Sequence, residues 1–340
     1  MNARLKRFFA SSKADALLLY NGDAARSLDP NMHYFLGFEI DASFLLAHRD
    51  GGQVLLTSPM NYEYAKENFS GRVEKARGKE LWKKLGEELK ESQSVALDKQ
   101  LLPASTYSKL LRARKRFIDA SKELLNLRAK KDEKEIALIK KACSISRSVF
   151  ESVSFRVGKT EEAMAREAEI ALLEHGAHDA FSPIIQSGPN SRFPHSVPTR
   201  RRWKHNEILL VDLGARRGHY CSDLTRCFFS GECREERKAY EKLMEINREL
   251  ARNLRPGVPV KKIAALAAEL FQQAGLPQMP HSIGHGVGLE VHEHPSLRKN
   301  SKAELEECNV IALEPALYGR KFGARFEETV LVMRGGGRAL

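Results

Sequence analysis

The chain has 340 residues, too many for one ordinary domain and comfortable for two, and its 42% hydrophobic content suffices for two buried cores. No run reaches the roughly 18 apolar residues that cross a bilayer. Five scattered cysteines (Cys143, Cys221, Cys227, Cys233, Cys308), none in a CxxC arrangement, exclude a disulfide framework and a thiolate zinc site, so any metal must be held by oxygen and nitrogen.

The net charge of +12 raises nucleic-acid binding, but 56 basic residues are interleaved with 44 acidic ones. No zinc-finger or RNP pattern is present, and nucleic acid is disfavoured as a partner. Of the two basic clusters, Arg112 to Arg116 reads as a solvated helix face and Arg200 to Lys204 as a surface loop. The N-terminus MNARLKRFFA is basic but lacks a long apolar stretch and a small-residue cleavage site. A cytoplasmic enzyme without membrane attachment is the expectation.

In chain order, residues 15–21, 38–48, 52–59 and 94–100 are short strand-like runs bounded by Gly, Asp, Asn and Pro. Residues 61–69 and 79–92 between them carry helical spacing and charged faces. This predicts an α/β domain over residues 1–125, followed by a second domain over 126–340. The second opens on a long amphipathic helix with Asp132 as N-cap and Glu135 three residues on, a capping-box pattern. Ile136, Ile139 and Cys143 recur at helical spacing, widened by Leu138, Ala142 and Ile145. A second helix runs from Thr160 to Gly176, and further helices are predicted at 233–254 and 259–275.

Chemistry concentrates in three later segments. In EILLVDLGARRGHYCSDLTRCFF a hairpin centred between Arg217 and Gly218 would set Asp212 directly opposite Asp223, with Cβ atoms about 5 Å apart. Two such carboxylates repel unless positive charge lies between them, and a pair of divalent ions would supply it. In NVIALEPALYGRKFGARFEETVLV the midpoint between Arg320 and Lys321 sets Glu314 opposite Glu327, with Glu328 on the other face. Arg325 shares the face of Glu327 and could brace a ligand carboxylate. Between them, MPHSIGHGVGLEVHEHP holds His281, His285, His292 and His294 among Gly284, Gly286 and Gly288, glycines that let another group approach the backbone. His294 is assigned to the surface. Imidazole and carboxylate together suit Mn, Fe, Co or Zn.

These segments resemble the pita-bread metallopeptidases, whose ligands come in the order Asp, Asp, His, Glu, Glu. The resemblance spans residue 126 to the end and implies Asp212, Asp223, His285, Glu314 and Glu327 as metal ligands. FSPIIQSGPNSRFPHSVPT is similar to the family's substrate-side segment and implies His195 as a cleft histidine; HSIGH and EVHE imply His281 and His292 as two more. The first domain resembles the creatinase-type N-terminal domain through residues 32–56, which methionine aminopeptidases lack. The implied fold is α/β (α+β): a creatinase-like α/β domain, then a pita-bread domain with a curved antiparallel sheet flanked by helices. The implied group is the Xaa-Pro dipeptidases and aminopeptidases P. Asp212, Asp223 and Glu327 would hold one ion and Asp223, His285, Glu314 and Glu327 the other, Mn or Co first, with Zn or Fe as alternatives.

Hydrolysis of Xaa-Pro dipeptides by a metal-bridging hydroxide follows from the resemblance, with Glu314 shuttling the proton and His195 and His292 holding the reacting carbonyl. Removal of an N-terminal residue from longer Xaa-Pro peptides is the alternative, and a non-catalytic binding protein of the same fold the rival. A homodimer is implied. Three positions depart from the family pattern: Ala316 after Glu314-Pro315, Cys308 at a common turn glycine, and Ser296 where archaeal-type dipeptidases carry an arginine that holds the substrate carboxylate. Arg298 stands two residues later.

Overall fold

The computed structural model describes residues 3–22 and 29–340; Met1 and Asn2, the start of the basic N-terminal segment, lie outside the described residues. The chain divides into two compact units, Met1–Arg128 and Ala129–Leu340. The boundary expected after residue 125 falls inside a helix, Ser121–Ala129.

The first unit is built on six strands, β1 (Ala16–Asn21), β2 (Ser43–His48), β3 (Gln53–Thr57), β4 (Arg72–Lys75), β5 (Ser94–Leu97) and β6 (Arg116–Asp119), in the order β4-β3-β2-β1-β5-β6. Pairing is antiparallel through β1, β2 and β3, and parallel at β1–β5, β5–β6 and β3–β4. Helices α1 (Ala3–Ser11), α2 (Pro30–Leu36), α3 (Tyr62–Asn68), α4 (Gly78–Glu88), α5 (Ala104–Leu110) and α6 (Ser121–Ala129) complete it. One core packs Leu18, Phe44, Leu46 and Val95 against Leu85 and Leu89 of the α4 segment and Leu110. Each such side chain contributes about 1.5–3 kcal/mol by leaving water. The strand-like runs at 15–21, 38–48, 52–59 and 94–100 hold β1, β2, β3 and β5. The edge strands β4 and β6 were not anticipated, because RVEK and RFID are half-exposed and lack an apolar run. Arg112 to Arg116 is no helix face: Leu111–Ala113 is a single 3-10 turn, Arg114 is left-handed (φ 52°), and Arg116 begins β6.

In the second unit, α7 (Glu133–Ser152) starts on the predicted capping box, with the Asp132 carboxylate accepting from the Glu135 amide and the Glu135 carboxylate from the Asp132 amide. Helix α8 (Glu161–Glu174) is capped by Thr160, and α9 (Arg234–Asn253) and α10 (Val260–Gln273) fall within the predicted spans. The strands are β7 (His178–Asp179), β8 (Ile184–Ser187), β9 (Ile208–Leu213), β10 (Ala215–Arg217), β11 (Tyr220–Cys221), β12 (Leu224–Phe229), β13 (Gly284–Gly286), β14 (Glu293–Ser296), β15 (Val310–Leu313), β16 (Ala316–Tyr318), β17 (Gly323–Arg325), β18 (Glu328–Leu331) and β19 (Arg338–Ala339). They form antiparallel sheets β12-β9-β8, β14-β13-β15-β18-β19, β16-β17 and β11-β10-β7.

The central strands are buried on both faces, so they read as unbroken apolar runs rather than alternating ones. Ile208 and Leu210 of β9 pack with α9 and α10 residues such as Leu243 and Ile263, whereas Leu209, Val211 and Leu213 pack with α7 and α8 residues such as Val149 and Leu172. A carboxylate placed on such a strand has no water to face. Asp212 sits one step beyond Leu210 on the same face of β9 and is 6% exposed. The basic stretch at 200–204 is a loop, pinned by buried Trp203 and by Arg201, which pairs with Glu207 at 2.5 Å. No helix among the described residues is long and apolar enough to cross a membrane.

Candidate metal centre

The first hairpin forms in a different register from the one expected. Arg217 pairs with Tyr220 and Asp212 with Thr225, so Asp212 does not stand opposite Asp223. The turn centres on Gly218 and His219, both at positive φ (55° and 71°), as a two-residue I′ loop requires. Carrying this register inward sets Asp223 opposite Gly214, a diagonal neighbour of Asp212 on the same face. A side chain at Gly214 would lie 2.2 Å from the Ser222 carbonyl, so only glycine lets the strands close there. The Asp223 backbone is locked by Thr329, whose hydroxyl accepts from the Asp223 amide (3.2 Å) and donates to its carbonyl (2.9 Å).

The second hairpin has the expected register. Ala316 pairs with Arg325 and Leu313 with Glu328, which brings Glu314 across from Glu327. Asn247 of α9 donates to the Leu313 carbonyl (2.6 Å) and steadies the chain just before Glu314. Glu327 is buried, and Glu328 turns away to pair with Arg147 (2.7 Å) and Arg226. A bridge between Thr225 and Glu327 joins the two hairpins, and the Thr225 hydroxyl donates to Glu327 Oε2 at 2.6 Å. Arg325, 3% exposed, ties the group together: its Nη2 pairs with Asp212, its Nε donates to Thr225 (3.0 Å), and its Nη1 donates to the Tyr318 hydroxyl (2.8 Å).

His285 lies on β13, between β14 and β15. The glycines around it are steric necessities: a Cβ at Gly284 or Gly286 would meet a neighbouring carbonyl at 2.3 Å, and one at Gly288 would meet Glu293 at 2.4 Å. His285 Nε2 is 3.6 Å from Asp223 and 3.9 Å from Glu314 Oε1. Glu314 Oε2 faces His281 Nδ1 at 3.7 Å, and His281 Nε2 is 3.2 Å from the Tyr318 hydroxyl. The His292 ring is centred 4.3 Å from that of His285. His195 is exposed on its loop, and its charge is felt at Asp212, His281 and His292. His294 is half-buried rather than on the open surface.

Burial raises the pKa of all four carboxylates, and repulsion adds to it at Asp223, Glu314 and Glu327. Asp223 and Glu314 stand well above their usual range, chiefly through burial and then the charge of Glu327. Glu327 is pushed up to about 7 by burial and by Asp212. Burial lowers His281 and His292, and lowers His285 to about 4. Four carboxylates against the single buried guanidinium of Arg325 leave a negative excess in a dry site. Among the described residues, buried Asp212 Oδ1 has no hydrogen-bond partner. Donor atoms of Asp223, His285 and Glu327 lie within 4.8 Å of one another. An oxygen-rich set with one imidazole, excess negative charge and an orphaned oxygen fits divalent cations.

Sequence reasoning did not find Thr225, Thr329, Tyr318 or the Lys131–Glu293 ion pair. The pair is 3.0 Å long with both side chains 1% exposed, and it anchors the strand that follows His292. Thr225 had a signal, since it lies two residues after Asp223 and therefore on the same face. Tyr318 and Thr329 had the same signal, lying four residues after Glu314 and two after Glu327, whereas Lys131 and Glu293 come from distant segments and had none.

Residues 137–334 match the model of metallopeptidase family M24, and residues 2–130 match the creatinase/prolidase N-terminal domain. The chain is 31% identical to a Pyrococcus horikoshii Xaa-Pro dipeptidase, over 100% of this chain and 97% of that one. Among solved structures it is similar to an X-Pro aminopeptidase from Thermotoga maritima (TM-score 0.90, 28% identity, 98% of this chain and 97% of that one). It is also similar to the prolidase from P. horikoshii (TM-score 0.89, 29% identity, 99% and 97%). The expected α/β N-terminal domain and pita-bread domain are thereby shown, and the chain belongs to metallopeptidase family M24.

Proposed function

We propose that the protein hydrolyses Xaa-Pro peptide bonds, with dipeptides as preferred substrates, through two divalent ions at this centre. The observation that carries the reading is the convergence of Asp223, His285 and Glu327 donors within 4.8 Å, beside an unpartnered oxygen of Asp212. Relatives that span nearly the whole chain and are named Xaa-Pro dipeptidases support the substrate class.

Asp212, Asp223 and Glu327 would hold one ion, and Asp223, His285, Glu314 and Glu327 the other, with Mn or Co as the metals. When bound, the ions supply a nucleophilic water that loses its proton near neutral pH and polarise the scissile carbonyl. The chain's own residues do the rest. Glu314 turns Oε1 toward His285 and Oε2 toward His281, and with its pKa raised by burial it takes the water's proton and returns it to the leaving proline nitrogen. His292 and His195 donate to the developing oxyanion and to the substrate carbonyl, and burial favours the neutral form of His292. His281, held by Tyr318, orients Glu314. Arg325 holds Asp212 in place. An Xaa-Pro bond has no N–H, so the cleft needs no acceptor for one. The domain division near residue 125, a homodimeric assembly and a cytoplasmic location belong to the same proposal.

The aminopeptidase P reading draws on one observation: Ser296 occupies the position of the carboxylate-holding arginine, while Arg298 is exposed two residues on. Purified protein loaded with Mn²⁺ or Co²⁺ should cleave Ala-Pro much faster than Ala-Pro-Ala and lose turnover with a chelator. The reverse preference would assign it as an aminopeptidase. Absence of both turnover and bound metal would leave a non-catalytic binding protein.

A further inference from the structure

Away from the metal centre, the first unit contains a pocket of about 620 Å³ between α4 and the α5–3-10 segment. Its walls are Trp82, Leu85, Leu89 and Leu110, and its remaining side chains include Lys79, Lys109 and Arg112, with no acidic residue lining it. The volume lies within the range of small-molecule sites, about 300–1,000 Å³.

Three features argue against an incidental crevice. First, the cations are uncompensated: among the described residues neither Lys79 nor Arg112 has an ion-pair partner, in contrast to Lys84 with Glu74 and Arg72 with Glu88 on the same unit. Lys109 is set 5.3 Å over the face of Trp82. Second, Gly86 occupies the interior of α4, where glycine weakens a helix, and no atom lies within 4 Å of where its side chain would begin. Neither a positive φ nor a close backbone approach requires glycine there, and what it does is keep the wall of the pocket open. Third, α4 begins at Gly78 with no side-chain cap from Arg77, and its first two residues, Gly78 and Lys79, line the pocket.

We propose that this pocket binds a small amphipathic carboxylate. Its apolar chain or ring would lie on Trp82, Leu85 and Leu89 across the open face of Gly86, and its carboxylate would be held by Lys79, Lys109 and Arg112. The site is independent of the peptidase reading and involves none of its residues.

The test uses 4-phenylbutyrate and its neutral amide as matched probes, titrated into the full chain by calorimetry. The acid should bind saturably with a Kd of about 1 mM or tighter, and the amide about tenfold more weakly. Combined K79A/K109A/R112A should reduce acid binding about tenfold and abolish the preference over the amide. Gly86→Leu, which fills open space, should eliminate binding of both probes with an unchanged circular dichroism spectrum. If that variant does not fold, the charge variant decides alone. No saturable binding, equal affinity for acid and amide, or undiminished binding by the charge variant would each overturn the proposal.

Discussion

Each unit of this chain buries a polar cluster, and the two clusters differ in whether their atoms are satisfied. In the first unit, Asp98 Oδ1 accepts from the Gln100 amide (2.9 Å) and the Ser121 hydroxyl (2.7 Å), and Oδ2 accepts from Asn31 Nδ2 (3.0 Å). Arg128 donates to Asn31 Oδ1 (3.0 Å), so a guanidinium only 2% exposed joins a network in which both Asp98 oxygens and Asn31 Oδ1 have donors. In the second unit, four carboxylates face one guanidinium, every one is pushed toward protonation, and Asp212 Oδ1 has no partner. Burial is common to both and so does not identify a site. The uncompensated negative charge does, because a dry interior tolerates a charge imbalance only where something outside the chain completes it.

The sharpest way to break this comparison is Asp223→Asn. It should reduce metal-dependent turnover by about a hundredfold or more, since loss of the proposed direct ligand would exceed the usual effect of supporting groups. It should leave the metal-free melting temperature unchanged or higher, because it relieves repulsion from Glu327, Asp212 and Glu314. A metal-free protein markedly destabilised by this change would make the carboxylate cluster as structural as the Asp98 network. Next in size, Arg325→Met should weaken metal binding about 10- to 100-fold, followed by equilibrium dialysis, with turnover recovering in excess Mn²⁺. Failure of excess metal to restore it would give Arg325 a role beyond holding Asp212.

Arg128→Met tests the other side. Removing a buried charged donor should lower stability by about 2 kcal/mol in denaturant titrations while leaving turnover per folded molecule unchanged. The smallest effect is a pH slope. Glu327 stands near about 7 in the folded protein against an ordinary 4.5, so the metal-free native state holds extra protons and loses stability as pH rises through that window. His281, His285 and His292 are shifted down from 6.5 and act oppositely while their unfolded forms remain partly protonated, whereas Asp223 and Glu314, held well above the carboxylate range, act with Glu327. Above about pH 7, where the histidines are largely neutral in both states, metal-free stability should therefore decline, and saturating Mn²⁺, which requires deprotonated ligands, should cancel or invert the slope. A flat metal-free profile would mean that the carboxylates are already compensated.

Local rules carried the sequence reading wherever chemistry within a few residues decides the structure. The capping box at Asp132 and Glu135, the cap at Thr160 and the glycines around His285 each depend on groups close in the chain or on a missing Cβ, and all were legible. The Glu314–Glu327 register was legible too, because the turn between them lies at its geometric midpoint. The Asp212–Asp223 register was not. The midpoint argument assumed the two aspartates to be partners, whereas the left-handed pair Gly218–His219 moved the turn and placed Thr225 opposite Asp212. The aspartates still share a face because a strand repeats every two residues, so a shift between alternate positions preserves the side. Edge strands β4 and β6 escaped because half-exposed strands carry no apolar signature.

The sequence by itself determined the residue types of the proposed ligands and the faces they occupy, since those follow from residue chemistry and local periodicity. Only the tertiary structure decided how the charges balance. Arg325 reaching Asp212, Thr225 bonding Glu327, Thr329 locking Asp223 and Lys131 meeting Glu293 each join segments that only folding brings together. A buried carboxylate's energy depends on every charge within a few ångströms, and no local pattern encodes that sum.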